Sequence, residues 1–155
     1  MGIDAPPRDD EYWMQQVLAL ADQAAHAGEV PVGALIVRDN AVFAQAWNRP
    51  IASRDPTAHA EIVALRAAAL SAQNYRLPPA TLYVNLEPCP MCAGAIVHAR
   101  IARVVFGAAD PLSGAAGSVF NVLSAPSLNH RPEVVGGVLA EACAQQLRAF
   151  FKARR

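Results

Sequence analysis

Apolar and polar positions recur with two different spacings along the 155-residue chain, and these spacings predict alternating helices and strands. From an Asp at position 9 or 10 to His26, apolar residues recur every three or four positions, as they do on one face of a helix. Similar spacing predicts helices over residues 59–70, 89–98 and 138–152. Short apolar runs predict strands over residues 32–37, 41–47, 81–86, 103–107 and 133–136.

Strands that alternate with helices predict an α/β fold with a mixed sheet covered on both faces. The turn Arg38-Asp39-Asn40 predicts a hairpin between the first two strands. Residues 48–58, which include Pro50 and Pro56, are expected to form a loop. Residues 108–132 are expected to form a longer loop with a single helical turn, and loops of that length are commonly functional.

The amino-acid composition mainly excludes several classes of protein. The chain is 54% apolar and 17% charged, which excludes a disordered protein, and its net charge of zero argues against a general DNA-coating protein. Stretches without a charged or strongly polar residue, such as residues 30–37, are far shorter than the run of about 20 apolar residues that a bilayer core needs. The N-terminus lacks the features of a secretory signal. We therefore expect one cytoplasmic domain over residues 1–155, with residues 1–8 flexible and no membrane partner.

The C-terminal end, residues 148–155, is basic. Its cations are Arg148, Lys152, Arg154 and Arg155. They suit the negative end of a helix dipole and equally suit contact with phosphates, and the sequence leaves both interpretations open. Adjacent helical residues point about 100° apart. Of Phe150 and Phe151, one is therefore expected in the core and the other on the surface, where it could stack on a base.

Two short segments carry candidate chemistry, and both lie where a helix is predicted to begin. Cys89 and Cys92 are three residues apart in a predicted first turn, where unpaired N–H groups favour thiolates. Two thiolates and the imidazole of His59 form a set that favours zinc and leaves one coordination position open. Glu61, two residues after His59, is then a carboxylate beside a metal-bound water whose proton it can take and return.

A fourth protein ligand would turn the same centre into a closed structural site. Cys143 is the remaining cysteine, and its apolar neighbours favour a small core residue. His26, His98 and His130 lack ligand spacing. The sequence thus predicts an open, catalytic zinc site, with a zinc-stabilised RNA-binding module that is not an enzyme as an alternative.

At these residues the chain resembles the zinc-dependent nucleobase deaminases, whose pattern is H-x-E followed by P-C-x-x-C. Over roughly residues 11–155 it resembles the tRNA-specific adenosine deaminases within that superfamily. The segments that carry this resemblance are EYWM (11–14), EVPVGA (29–34), WNRP (47–50), DPTAHAE (55–61), NYRL (74–77), LEPC (86–89), GAAGS (114–118) and NHR (129–131).

The resemblance implies a cytidine-deaminase-like fold, in which a five-stranded mixed sheet lies between helices in three α/β/α layers. It implies a homodimer with one zinc ion per subunit, held by His59, Cys89 and Cys92. The implied reaction converts the wobble adenosine, position 34, of the arginine tRNA with an ACG anticodon to inosine. Zinc-bound hydroxide would be the nucleophile and Glu61 the proton shuttle.

Substrate contacts are also implied by the resemblance. Asn48 would contact the target base and Asp110 a neighbouring ribose, whose 2′-OH would favour RNA over DNA, so no DNA partner is expected. Ala60, Phe151 and Arg154 would complete the substrate-binding residues.

Two segments depart from the family pattern, and one catalytic alternative stays open. Asn85 stands where the family usually has Thr, and residues 123–128 differ from other members. The zinc motif alone would also suit a deaminase of a free base or nucleoside, of the guanine or cytosine type. The basic C-terminal end and the flanking segments favour the tRNA substrate.

Overall fold

The computed structural model describes residues 8–154, in which a five-stranded sheet lies between two layers of helices. In chain order the elements are α1 (Asp10–His26), β1 (Gly33–Arg38), β2 (Ala41–Trp47), α2 (Pro50–Ser53), α3 (Ala60–Ala72), β3 (Thr81–Leu86), α4 (Pro90–Ala99), β4 (Arg103–Ala108), β5 (Glu133–Val135) and α5 (Ala140–Ala153). This arrangement confirms the predicted three-layer α/β/α fold with a mixed sheet.

The sheet has the strand order β2-β1-β3-β4-β5. β1 runs antiparallel to both β2 and β3, whereas β3, β4 and β5 are parallel to one another. In the predicted hairpin, Asp39 and Asn40 form the turn. Their φ angles of 53° and 58° are typical of a two-residue type I′ turn. The parallel strands β3 and β4 end at the same edge of the sheet, and the segments that follow them carry the candidate site.

Alternating side chains of the central strands fill two separate cores. On β1, Ala34 and Ile36 face α3 and α4, whereas Leu35 and Val37 face α1 and α5. All four are buried, as expected for a strand covered on both faces. The sheet is therefore rigidly held between the helix layers, and the loops at its edge have a fixed support.

Helix α1 begins where the sequence predicts, because the Asp9 carboxylate accepts a hydrogen bond from the Tyr12 N–H at 2.8 Å. Its apolar face, which includes Trp13 and Met14, is buried against the sheet. Arg8, just before the helix, donates its backbone N–H to Asn40 and places its guanidinium over the ring of Tyr12. The rest of the predicted flexible N-terminus, residues 1–7, lies outside the described residues, as does Arg155.

One of the two loop predictions needs correction. The predicted loop 48–58 contains the short helix α2, because the buried Glu29 carboxylate accepts hydrogen bonds from the N–H groups of Ile51 and Ala52. In residues 108–132, the predicted helical turn is a single turn in which the Gly114 N–H bonds the Asp110 carbonyl at 3.0 Å. Over residues 8–154, no helix is both long and apolar enough to cross a membrane.

Candidate active site

The three predicted metal ligands meet where the first turns of α3 and α4 come together. His59 and Cys89 are the N-cap residues of these helices, and Cys92 lies in the first turn of α4. The Nδ1 atom of His59 lies 3.6 Å from the Cys89 sulfur and 3.4 Å from the Cys92 sulfur, and the three ligand atoms all lie within 4.8 Å of one another. Tetrahedral zinc with ordinary bond lengths separates a nitrogen from a sulfur ligand by about 3.6 Å. The residues therefore fit zinc.

The electrostatics of the sulfur pair prepare it for a cation. Hydrogen bonds, with Cys92 first and then with His59, outweigh the effect of burial and together lower the pKa of Cys89 to about 4. The hydrogen bond with Cys89 raises the pKa of Cys92 well above its usual range, with burial adding to the effect. One sulfur is therefore a thiolate at neutral pH before a metal binds, and binding releases the proton of the other.

Glu61 lies in the first turn of α3, and its side chain is 4% exposed. Burial raises the pKa of the Glu61 carboxyl above its usual value, which moves it toward the range useful in general acid–base catalysis. Glu61, His59 and Cys89 line one cavity of about 220 Å³. The carboxyl group therefore faces the space beside the candidate metal centre, as the sequence predicts for a proton shuttle.

The cavity wall contains further polar residues, of which Asn48 and Asp110 were predicted from the sequence. The Asn48 Oδ1 accepts the Ala60 N–H at 2.8 Å, which caps α3 and leaves the amide N–H₂ as a donor. The Asp110 carboxylate accepts hydrogen bonds from the N–H groups of Leu112 and Ser113 and from the Ser113 hydroxyl. Asp110 thus lines the cavity and also stabilises its own turn.

Glu87 is a cavity residue that the sequence analysis missed. Its carboxylate is 2% exposed and accepts hydrogen bonds from the N–H groups of Asp110, Ala116 and Ser118 and from the Ser118 hydroxyl. Burial acts to raise the pKa of Glu87, but these hydrogen bonds, led by the Ser118 hydroxyl, lower it below its usual value. Glu87 therefore holds the segment 110–118 as an ionised anchor. The only signals for this role in the sequence are an acidic residue directly before the P-C-x-x-C motif and the small residues of segment 114–118.

Three predicted substrate residues do not line the cavity. The Ala60 side chain is buried in the core, and only its N–H reaches Asn48. Phe151 is 48% exposed on α5, whereas Phe150 is 9% exposed, so the prediction of one buried and one exposed ring is confirmed. The Arg154 guanidinium lies 3.5 Å from the centre of the Phe150 ring. Arg154 thus stacks on Phe150 while its side chain remains exposed.

Cys143 packs far from the candidate metal centre, in the core formed by α1 and α5. Its sulfur lies against Gly107, where an added Cβ would collide with it. Burial raises the pKa of its thiol to about 11. Within residues 8–154, the group of candidate ligands consists of His59, Cys89 and Cys92. This geometry favours an open three-ligand site over a closed one completed by Cys143.

Comparison with known proteins agrees with this geometry. Residues 7–108 match the family model of the cytidine and deoxycytidylate deaminase zinc-binding region. The chain therefore belongs to the cytidine and deoxycytidylate deaminase family. Within it, the chain is similar to the tRNA-specific adenosine deaminase of Haemophilus influenzae, with 54% identity over 147 residues that cover 94% of this chain and 85% of the relative.

Two solved structures are similar in fold. One comes from a study of A-to-I editing by tRNA:A34 deaminases at the wobble position of transfer RNA, with a TM-score of 0.84 and 43% identity over 87% of this chain and 98% of the other. The other is a guanine deaminase from Nitrosomonas europaea, with a TM-score of 0.81 and 25% identity over 95% of this chain and 88% of the other. The predicted cytidine-deaminase-like fold is confirmed.

Proposed function

We propose that this protein is a zinc-dependent hydrolase that deaminates adenosine in tRNA. The observation that carries the proposal is the convergence of His59, Cys89 and Cys92, together with the buried Glu61, which lines one cavity with His59 and Cys89. The 54% identity to a tRNA-specific adenosine deaminase favours tRNA over a free base as substrate. The finer proposal is conversion of position 34 to inosine in the arginine tRNA with an ACG anticodon.

His59, Cys89 and Cys92 would hold the zinc ion, with one ion in each subunit. When bound, zinc would activate a water molecule by lowering its pKa to about 7. Glu61 would accept the proton of that water and deliver it to N1 of adenine as oxygen bonds to C6. The same carboxyl group would then take the remaining proton from the oxygen on C6 and pass it to the departing amino group, so that water is consumed and ammonia and inosine are formed.

The remaining cavity residues would hold the extruded base and its sugar. The Asn48 amide N–H₂ is available as a donor to the base because its oxygen is already bound to Ala60. The Asp110 carboxylate could accept a hydrogen bond from a ribose 2′-OH, a group that DNA lacks. A cavity of this kind takes a base that is splayed out of a loop, which suits an anticodon loop.

Residues outside the cavity would bind the flanking nucleotides. Phe151 is exposed beside Arg148 and Lys152, which together offer a stacking surface and positive charge. Arg154, which is exposed and stacks on Phe150 at the end of the same helix, would bind the substrate as well. A homodimer in the cytoplasm, the compartment that holds mature tRNA, completes the proposal.

The test compares an anticodon stem-loop with free adenosine, cytidine and guanine, with zinc measured in the same samples. We expect turnover of the stem-loop with one zinc per subunit. Glu61→Gln should keep the zinc and lower kcat by at least about 10²–10⁴-fold, whereas Cys89→Ser should lose the zinc. Turnover confined to a free base would replace this proposal with the guanine or cytosine type of deaminase. Zinc without any turnover would favour the RNA-binding module.

A further inference from the structure

Asn85 is a fully buried polar residue near the end of β3, and it ties the cavity wall to the sheet. Its Oδ1 accepts the Gly33 N–H at 2.9 Å, and its Nδ2 donates to the Pro31 carbonyl at 2.8 Å. Pro31 lies in the segment between α1 and β1, and Gly33 is the first residue of β1. Val30 and Val32 of the same segment line the cavity. Asn85 therefore fixes one wall of the cavity without facing the cavity itself.

The second donor of the Asn85 amide reaches α5. Its Nδ2 lies 3.3 Å from the Oε1 of Gln146, and the Gln146 Nε2 donates to the Leu18 carbonyl at 3.0 Å and to the Asp22 carboxylate at 2.8 Å. Gln146 thus connects α5 to β3 and α1 at once. All of these contacts join residues more than 50 positions apart, so they fix tertiary arrangement rather than local structure.

The position of Gln146 along α5 gives this connection a consequence for RNA binding. Gln146 lies between Cys143, which packs in the core, and Phe151, which is exposed near the end of the helix. If Phe151 binds a nucleotide beside the one in the cavity, the separation of α5 from the cavity wall must match the spacing of those nucleotides. Asn85 and Gln146 set that separation.

We propose that Asn85 and Gln146 are positioning residues that hold α5 in register with the cavity for tRNA recognition. The inference rests on the proposed function. Neither residue lines the cavity, so the pair does not take part in the chemical step. Its loss weakens the binding of an RNA that must reach both the cavity and α5, and leaves the zinc centre intact.

The experiment measures kcat and KM for an anticodon stem-loop with Gln146→Ala and with Gln145→Ala as matched control, since Gln145 is the exposed neighbour on the same helix. Loss of these hydrogen bonds should raise KM about three- to tenfold for Gln146→Ala, with kcat within about twofold and zinc content unchanged. Gln145→Ala should behave as wild type. Gln146→Met, which keeps side-chain length and helix propensity, repeats the test if the alanine variant unfolds.

A double-mutant cycle separates this role from general destabilisation. Asn85→Ala combined with Gln146→Ala should raise KM by less than the product of the single effects, because both changes break the same connection. Unchanged KM in folded Gln146→Ala and Gln146→Met, a fall in kcat alone, an equal effect of Gln145→Ala or fully multiplicative KM effects would each overturn the inference. If wild type fails to turn over the stem-loop, the proposed function falls and this inference falls with it. Turnover by wild type with any of those four results overturns the positioning role alone.

Discussion

The anchor formed by Glu87 allows a quantitative prediction for Glu87→Gln. One carboxylate oxygen accepts the Asp110 N–H at 3.1 Å and the Ser118 hydroxyl, and the other accepts the N–H groups of Ala116 at 2.9 Å and Ser118 at 3.1 Å. The glutamine amide replaces one oxygen with an N–H₂ group. The N–H₂ group is least unfavourable where it faces the Asp110 N–H and the Ser118 hydroxyl, because the hydroxyl can rotate to accept a hydrogen bond from it.

In that orientation one buried N–H, that of Asp110, loses its acceptor, and the two remaining backbone bonds change from a charged to a neutral acceptor. An unsatisfied buried donor costs about 1–3 kcal/mol, and each weakened bond costs about 0.5–1 kcal/mol. We therefore expect Glu87→Gln to lower the free energy of unfolding by about 2–5 kcal/mol.

The assay is urea unfolding at a fixed zinc concentration, with amide hydrogen exchange followed in residues 110–118. The urea midpoint should fall without a change in the slope, and exchange at Asp110 should accelerate most. The matched control is Glu141→Gln, whose side chain is 83% exposed and pairs with Arg148 on the surface. That change should cost less than about 1 kcal/mol. An equal effect of the two substitutions would refute the assignment of Glu87 as the anchor of this loop.

Three further predictions follow from the ionised and sulfur-bearing groups. A hydrogen bond from Arg103 lowers the pKa of Asp10, so this pair stabilises the fold above the unfolded carboxyl pKa of about 3.9 and loses that effect as pH falls through the lower folded value. Unfolding measured below pH 4 should therefore depend less on pH in Asp10→Asn than in wild type. Cys143→Ser should retain one zinc per subunit by metal analysis, and loss of zinc would indicate a closed site instead. Asp110→Asn should reduce the ratio of RNA to DNA turnover. Asp39→Asn, which makes the same change at an exposed turn outside the cavity, should leave the ratio unchanged. Equal ratios in Asp110→Asn and wild type would exclude the ribose contact.

The sequence predicts the chemistry of this protein better than it predicts the support around the site. His59, Cys89 and Cys92 are recognisable because zinc requires those ligand types, and their placement at two helix starts follows from local pattern. The continuous apolar run of β1 likewise predicts a strand buried on both faces. These signals are local, so they can be read from a few consecutive residues.

The missed features depend on contacts between distant parts of the chain. Glu87 bonds to residues 23 to 31 positions away, and Asn85 to residues 52 to 61 positions away, so no neighbouring residue reveals either role. Helix α2 was interpreted as a loop because of its proline, although proline is well tolerated at a first helical position and Glu29 supplies the acceptor for two N–H groups. The contact of Arg154 with Phe150 could not be predicted from the sequence either, because it depends on the side-chain rotamers at the end of α5.

The anchoring of residues 110–118 has a consequence for protein engineering. The Glu87 carboxylate accepts most of its hydrogen bonds in this segment from main-chain N–H groups, which every residue except proline supplies. Leu112, which is 88% exposed, contributes no side chain to that anchor. Library variation at Leu112 can therefore remodel the rim of the cavity while the candidate metal ligands, on separate helix starts, keep their positions.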